Sequence, residues 1–381
     1  MIYKILPKIK FELSSRVIRL KTKRQSKGNV LISYITLPFL IKDEHMNGHT
    51  NRWECKEMAK IFIDHGYNVD IIDWDNKKFT PERKYAFFID INQNMERLSP
   101  LLNKDCVKIF HITTSHWKFQ NEAEKKRLDD LEKRKGVRLV PRRQLEKSNG
   151  IELADIVTML GNDTTESTYA YANKKIFRIP LSTTHVYKYS YKKEFEKVKK
   201  NFIWLGGAGM IHKGLNLVLE AFKELPDYKL SVFGNVSGES DFNKAYYHEL
   251  YETPNVKTFG KVDVGGELFI QTAKESVGLV YPTCSEGQSG AVITALHAGL
   301  IPITNRSSGI DCDDFGIVLN DNSVEEIKKA VLKLGNMGSS ELSELSLAAY
   351  TYANTNHTRE VFSKTYNLFV SELEKQYNHS I

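Results

Sequence analysis

With 381 residues, 41% of them hydrophobic and 27% charged, the chain has an ordinary globular balance and the length for two domains rather than one. Nothing in it approaches the roughly 18 consecutive apolar residues of a membrane span, and the start lacks the compact apolar run and small-residue cleavage site of a secretory signal. The net charge of +7 belongs to one segment: residues 1–28 carry nine Lys/Arg against the single acid Glu12, while the remainder holds 45 basic and 46 acidic residues.

A nucleic-acid binder usually carries its basic patch on the folded domain, so nucleic acid is not expected as a partner. Cys55, Cys106, Cys284 and Cys312 lie far apart with no CxxC pair, the usage of reduced thiols in a cytoplasmic protein.

In the basic arm, residues 1–28, Ile2, Ile5, Leu6, Ile9, Leu13, Val17 and Leu20 fall on one helical face flanked by lysines, interrupted by Pro7 and by the off-face Phe11 and Ile18. Three readings are open. Residues 1–27 form an interfacial segment holding the protein peripherally on the inner face of a membrane, a disordered tail, or a strap docked on the domain.

After the arm, strand and helix patterns alternate. Val30–Thr36 reads as a strand, His49–His65 as a helix ending at Gly66, and Tyr67–Ile72, Phe87–Ile91 and Val107–Ile112 as strands. Phe119–Lys135 is a charged helix stopped by Gly136, followed by predicted strands Val137–Val140, Ile156–Leu160 and Ile176–Ile179. The grammar restarts near residue 200. Strands are expected at Phe202–Leu205, Leu230–Phe233, Val256–Phe259, Gly278–Tyr281 and Ile301–Thr304, with helices at Lys213–Leu225, Leu268–Glu275 and Ala291–Ala298. Strands alternating with helices imply parallel sheets covered on both faces. The expected architecture is α/β: two Rossmann-like domains, residues 29–183 and 200–355, with parallel sheets facing a central cleft. Residues 184–199 form the linker, and residues 356–381 hold a helix, Thr358–Glu374, returning to the first domain. In open α/β sheets ligands bind beyond the carboxyl ends of the strands, which places the reaction in the cleft.

The informative stretch is Thr283–Gly299, TCSEGQSGAVITALHAG. A strand ends, a loop of small residues carries Glu286 between Ser285 and Gly287, and a helix starts near Gly290. Small residues let backbone amides approach a ligand, the helix N-terminus favours an anion such as a diphosphate, and a carboxylate suits sugar hydroxyls. The same residues also suit a plain helix start behind an acidic loop. In Phe202–Gly214, FIWLGGAGMIHKG, a strand and Gly-rich turn deliver Lys213 to a helix start, beside a phosphate or simply on a surface. His116, in Thr113–Trp117, ends a predicted strand on the ligand side, whereas His111 lies inside that strand as a core residue. Asp311, Cys312, Asp313 and Asp314, with neither a histidine nor a second cluster beside them, read as a polar loop; no metal site is expected.

Order and spacing together are more specific. Lys213-Gly214, Phe233-Gly234, Pro254–Gly260 (PNVKTFG), Pro282–Gly287 (PTCSEG), Ala298-Gly299 and Pro302 follow in the order of glycosyltransferase family 4, the "group 1" class of GT-B fold, which residues 200–335 resemble. The first half matches in outline, through Gly48, His116 and Ile179-Pro180. The resemblance implies that Lys213 holds the donor diphosphate and Glu286 the donor sugar, with Ser285, Gly287, Gln288 and Ser289 lining the site and the Gly290 and Ala291 amides adding to the phosphate site. The turn Phe259, Gly260, Lys261 lines the base pocket, and His116 reaches across to the reacting sugar. Two positions depart from the family. Thr294 stands where a ribose-binding acid is usual, and the turn before Lys213 has Gly207 and Ala208 where an arginine is usual. Arg142 or Arg143, from the loop after Val140, could supply that charge from the opposite domain.

The resemblance implies a retaining hexosyltransferase that moves sugar from a nucleotide-sugar donor to a glycan or lipid-linked acceptor, in cell-surface polysaccharide or glycoconjugate synthesis. It implies no cofactor. An inactive donor-binding subunit and a nucleotide-sugar epimerase of the same fold are the alternatives.

Overall fold

The computed structural model describes residues 15–190 and 193–377. Seven strands build the first sheet: β1 (Val17–Leu20), β2 (Asn29–Tyr34), β3 (Asn68–Asp73), β4 (Phe87–Asp90), β5 (Val107–Ile112), β6 (Ile156–Met159) and β7 (Ile176–Arg178), in the order β1-β3-β2-β4-β5-β6-β7. Six build the second: β8 (Asn201–Leu205), β9 (Lys229–Phe233), β10 (Val256–Gly260), β11 (Gly278–Tyr281), β12 (Ile301–Asn305) and β13 (Ile317–Leu319), ordered β10-β9-β8-β11-β12-β13. Every pairing is parallel except β1 with β3. Val30, Leu31 and Ile32 in β2 are all sealed from solvent, as parallel strands covered on both faces require.

The helices of two turns or more are α1 (Thr50–Asp64), α2 (Trp117–Lys135), α3 (Leu215–Lys223), α4 (Glu267–Lys274), α5 (Gly290–His297), α6 (Val324–Gly335), α7 (Ser339–Asn356) and α8 (Arg359–Gln376). Gly136 ends α2 in the left-handed conformation, φ +66°, where a residue without Cβ carries no steric penalty. After α7 the chain crosses back, and α8 lies on α1, with Trp53 against Phe362 at 5.7 Å and Phe62 against Tyr366 at 6.3 Å between ring centroids. Two crossing segments meet where His357 Nδ1 lies 3.0 Å from the Leu181 carbonyl and His297 Nε2 lies 2.9 Å from the His357 carbonyl.

Two sequence expectations are corrected. Val17 and Leu20, placed on the arm's helical face, belong to β1 instead. Their register runs antiparallel to Ile72 and Val69, so the described end of the arm is part of the sheet. The period is two: Ile18 and Leu20 pack against one apolar cluster and Val17 against another. The rest of that face, Ile2 to Leu13, lies outside the described residues. Val137–Val140 is not a strand. It runs along the second half, where Leu139 joins Leu131 in the cluster around Trp204 and Phe222 and Val137 packs against it, while Val140 stays exposed; that packing of Val137 and Leu139 replaces sheet pairing.

Candidate active site

The site is built at the carboxyl ends of β8 and β11. The loops leaving these strands bond to each other, Cys284 N–H donating to the His212 carbonyl at 2.7 Å, and His212 Nε2 lies 2.6 Å from the Ser285 carbonyl. This brings Lys213 onto Glu286. Lys213 Nζ lies 2.5 Å from Glu286 Oε1 and 2.9 Å from the Tyr281 hydroxyl, which donates to the same carboxylate at 2.9 Å. Both charged side chains are 12% exposed. Gly214 follows because its backbone is left-handed (φ +73°) and a Cβ there would sit 2.3 Å from the Pro282 carbonyl.

Burial alone would raise the Glu286 carboxyl, but Lys213, then His212 and Arg143, outweigh it and hold the group at about 2. Burial works against the Lys213 ammonium, yet Glu286 and Tyr281 raise it above its ordinary value. His212 is pushed down to about 4 by burial, so the imidazole beside this pair is neutral.

The first half closes over the loop. Ser115 Oγ donates to the Glu286 carbonyl at 2.9 Å, Thr165 Oγ1 to the Gly287 carbonyl at 3.1 Å, and Leu181 N–H to the Gln288 side chain at 2.7 Å. Gly287 is obligatory at this seam, since a Cβ would lie 2.4 Å from the Thr113 carbonyl and 2.6 Å from that of Leu160. Ser289 caps α5 by accepting from Val292 N–H, which makes Gly290 and Ala291 the first residues of the helix. Thr294 donates back to the Gly290 carbonyl at 2.7 Å, a helix-internal bond in place of an acid. Gly207 and Ala208 are exposed in the turn before Lys213. The neighbouring amides of Gly209 and Met210 are already taken by Glu239. Phe259 stacks on Phe233 at 4.8 Å, and Gly260 turns left-handed ahead of the exposed Lys261.

His116 does not join the pair. Its ring packs among Trp117, Tyr169 and Tyr171, with Nε2 3.3 Å from the Tyr171 hydroxyl, and burial lowers its pKa. Arg142 is committed to Asp241 at 2.6 Å. Gly48 ends a 3₁₀ turn, with the Arg52 side chain against it. His49, at the start of α1, accepts from Asn51 N–H at 3.3 Å as its cap; burial and Arg52, with smaller contributions from Lys213 and Arg143, lower its pKa. His49, His212 and Tyr281 are missed by sequence reasoning. Only the adjacency of His212 to Lys213 and the place of Tyr281 at a strand end hint at the latter two. Arg306 pairs with Asp313 at 2.7 Å and Asp311 at 3.7 Å, so that acidic stretch is charge-compensated.

Two parallel α/β sheets, a first half reaching over loops at the carboxyl ends of the second, and a last helix returning to the first half define the GT-B fold of glycosyltransferases. No family model and no curated protein matches the sequence. Among solved structures the chain is similar to sucrose-phosphate synthase from Thermosynechococcus elongatus, with TM-score 0.62 and 12% identity over 93% of this chain and 99% of that one. It is also similar to HepE from Anabaena in complex with UDP and glucose, with TM-score 0.55 and 9% identity over 91% of this chain and 99% of that one. A third similar structure is a mutant of TarM from S. aureus in complex with fondaparinux, α-GlcNAc-glycerol and UDP, with TM-score 0.52 and 13% identity over 74% of this chain. This chain spans about half the length of that TarM chain, 54%. Identities this low speak for the fold.

Proposed function

We propose that the protein is a glycosyltransferase that takes a sugar from a nucleotide-sugar donor and transfers it, with retention and without a catalytic metal, to a glycan or lipid-linked acceptor. The observation that carries this reading is the Lys213–Glu286 pair, an ammonium and a carboxylate 2.5 Å apart beside a helix N-terminus in the cleft of a GT-B fold. The neighbours HepE and TarM, crystallised with UDP, support a nucleotide as the ligand of such a cleft.

In the reaction proposed, the donor diphosphate accepts from Lys213 and from the amides at the start of α5. These charges stabilise the leaving group as the glycosidic bond breaks. Glu286, released from Lys213, accepts from sugar hydroxyls and orients the ring. With Thr294 turned into its own helix, the ribose is left to backbone groups.

The test is to incubate purified protein with UDP-, GDP-, ADP- and dTDP-sugars, reading thermal stabilisation and then release of free nucleoside diphosphate, with and without EDTA. One donor family is expected to stabilise the protein and to be turned over slowly, unaffected by EDTA. The absence of a ribose acid at Thr294 favours one rival, a donor-binding subunit without transfer, which would bind a donor and release nothing. No binding to any donor would sink the proposal.

A further inference from the structure

Four cations on α2 and the loop after it cross to the second half, and each finds an acceptor there. Arg127 donates to the Pro282 carbonyl at 2.5 Å, Arg134 pairs with Glu220 at 3.3 Å, Lys135 with Glu249 at 3.0 Å and Arg142 with Asp241 at 2.6 Å. Arg143 stands in the same row and has no acceptor. Among the described residues its side chain makes no hydrogen bond or ion pair, and its Nε is shut off from solvent. A buried donor left unmade costs free energy, so a side chain kept in that state points to an acceptor that arrives from outside.

Its placement is held firmly. The carboxylate of Glu124, 1% exposed, accepts from the backbone N–H groups of Arg142 at 3.0 Å and Arg143 at 3.0 and 3.1 Å, and from the Gln144 amide at 2.8 Å. Gln120 donates to the Arg143 carbonyl at 2.5 Å. From this anchor the side chain crosses the cleft over Gly209, where a Cβ would lie 2.6 Å from Arg143 Cγ. The absence of a side chain at Gly209 is what leaves the passage. The charge of Arg143 is felt by Lys213, Glu286, His212 and His49. Lys213 is already paired with Glu286, which leaves Arg143 as the uncommitted cation at this spot.

We propose that Arg143 binds the donor diphosphate from the opposite half of the molecule, beside Lys213, making contact between the halves a part of donor binding. The inference rests on the glycosyl-transfer reading above. A guanidinium suits the role because its fork of donors can hold phosphate oxygens two at a time. The turn before Lys213, with Gly207 and Ala208, supplies no cation of its own.

Calorimetric titration with UDP and GDP tests it on wild type, Arg143→Met, Arg143→Lys and Lys126→Met. Whichever nucleotide wild type binds, Arg143→Met is expected to bind at least about tenfold more weakly, the scale of a charge-assisted bond. Arg143→Lys should recover part of the loss. Lys126→Met, at an exposed position of α2, should match wild type, and the thermal midpoint of ligand-free Arg143→Met should not fall. If wild type binds a nucleotide and Arg143→Met binds it equally well, the assignment to Arg143 is wrong and the glycosyl-transfer reading stands. If wild type binds neither nucleotide and no nucleotide sugar stabilises it, both fall together.

Discussion

Replacing Lys213 by Met keeps the length of the side chain and removes its charge, leaving the Glu286 carboxylate buried with its nearest partner gone. The structure sets the size of the effect. The carboxyl is held at about 2 instead of 4.5, and at about 1.36 kcal/mol per unit its surroundings contribute on the order of 3 kcal/mol. Because the folded value is depressed, that stability is complete above about pH 4.5 and is lost as the pH falls toward 2. Without Lys213, burial dominates and the carboxyl moves upward. The variant is therefore expected to lose about 3 kcal/mol at pH 7.5, or about 6–12 °C in thermal midpoint for halves of this size. The loss should shrink at pH 4, where the variant's carboxyl is protonated. Adding Glu286→Gln should restore most of it, since no lone charge then remains. Thermal melts followed by circular dichroism at the two pH values measure all of this. A loss below about 1 kcal/mol, unchanged between the two pH values, would refute the buried pair.

A second pH effect of opposite sign is expected from Glu54, which accepts from Ser182 N–H and Oγ at 2.8 Å and is pushed by burial up to about 7. A raised carboxyl gives stability that is full below about 4.5 and drains as the pH rises through 7, so Glu54→Gln should flatten the stability profile between pH 5 and 8, read by urea midpoints. Gly287→Ala should force the seam at Thr113 and Leu160 apart, lowering the thermal midpoint by an amount equivalent to about 1–3 kcal/mol; an unchanged midpoint would mean the halves do not meet there.

Much of the fold was legible because parallel strands announce themselves as short apolar runs. The predicted centres of β2 to β12 match the structure apart from the extra strand at Val137–Val140. β1 was not legible. Its four residues sit in a basic arm whose longer helical pattern overrode a short alternation, and an antiparallel edge partner is visible only once β3 exists. At the site, Lys213 and Glu286 were each legible from their loops, yet not as partners, because the bond from Cys284 to the His212 carbonyl that aligns them is tertiary. The surroundings of His116 were not legible for a related reason: a strand end gives the side of the sheet, while Tyr169 and Tyr171, more than 50 residues downstream, pack against the ring. Arg143 could be named as a charge near a cleft; that its buried Nε finds no acceptor among the described residues needed the coordinates.

The return of α8 to the first half has a consequence in time. Met58 and Phe62 of α1 are sealed from solvent in the finished protein, and the chain that covers them carries Phe362 and Tyr366. All strands of the first sheet are made once residue 178 has been added, but α8 begins only at residue 359. At roughly 5–20 residues per second of synthesis, that interval is on the order of 10–40 s. For that long, the first half waits on the ribosome with an apolar flank uncovered, and anything that slows translation of the second half lengthens its exposure.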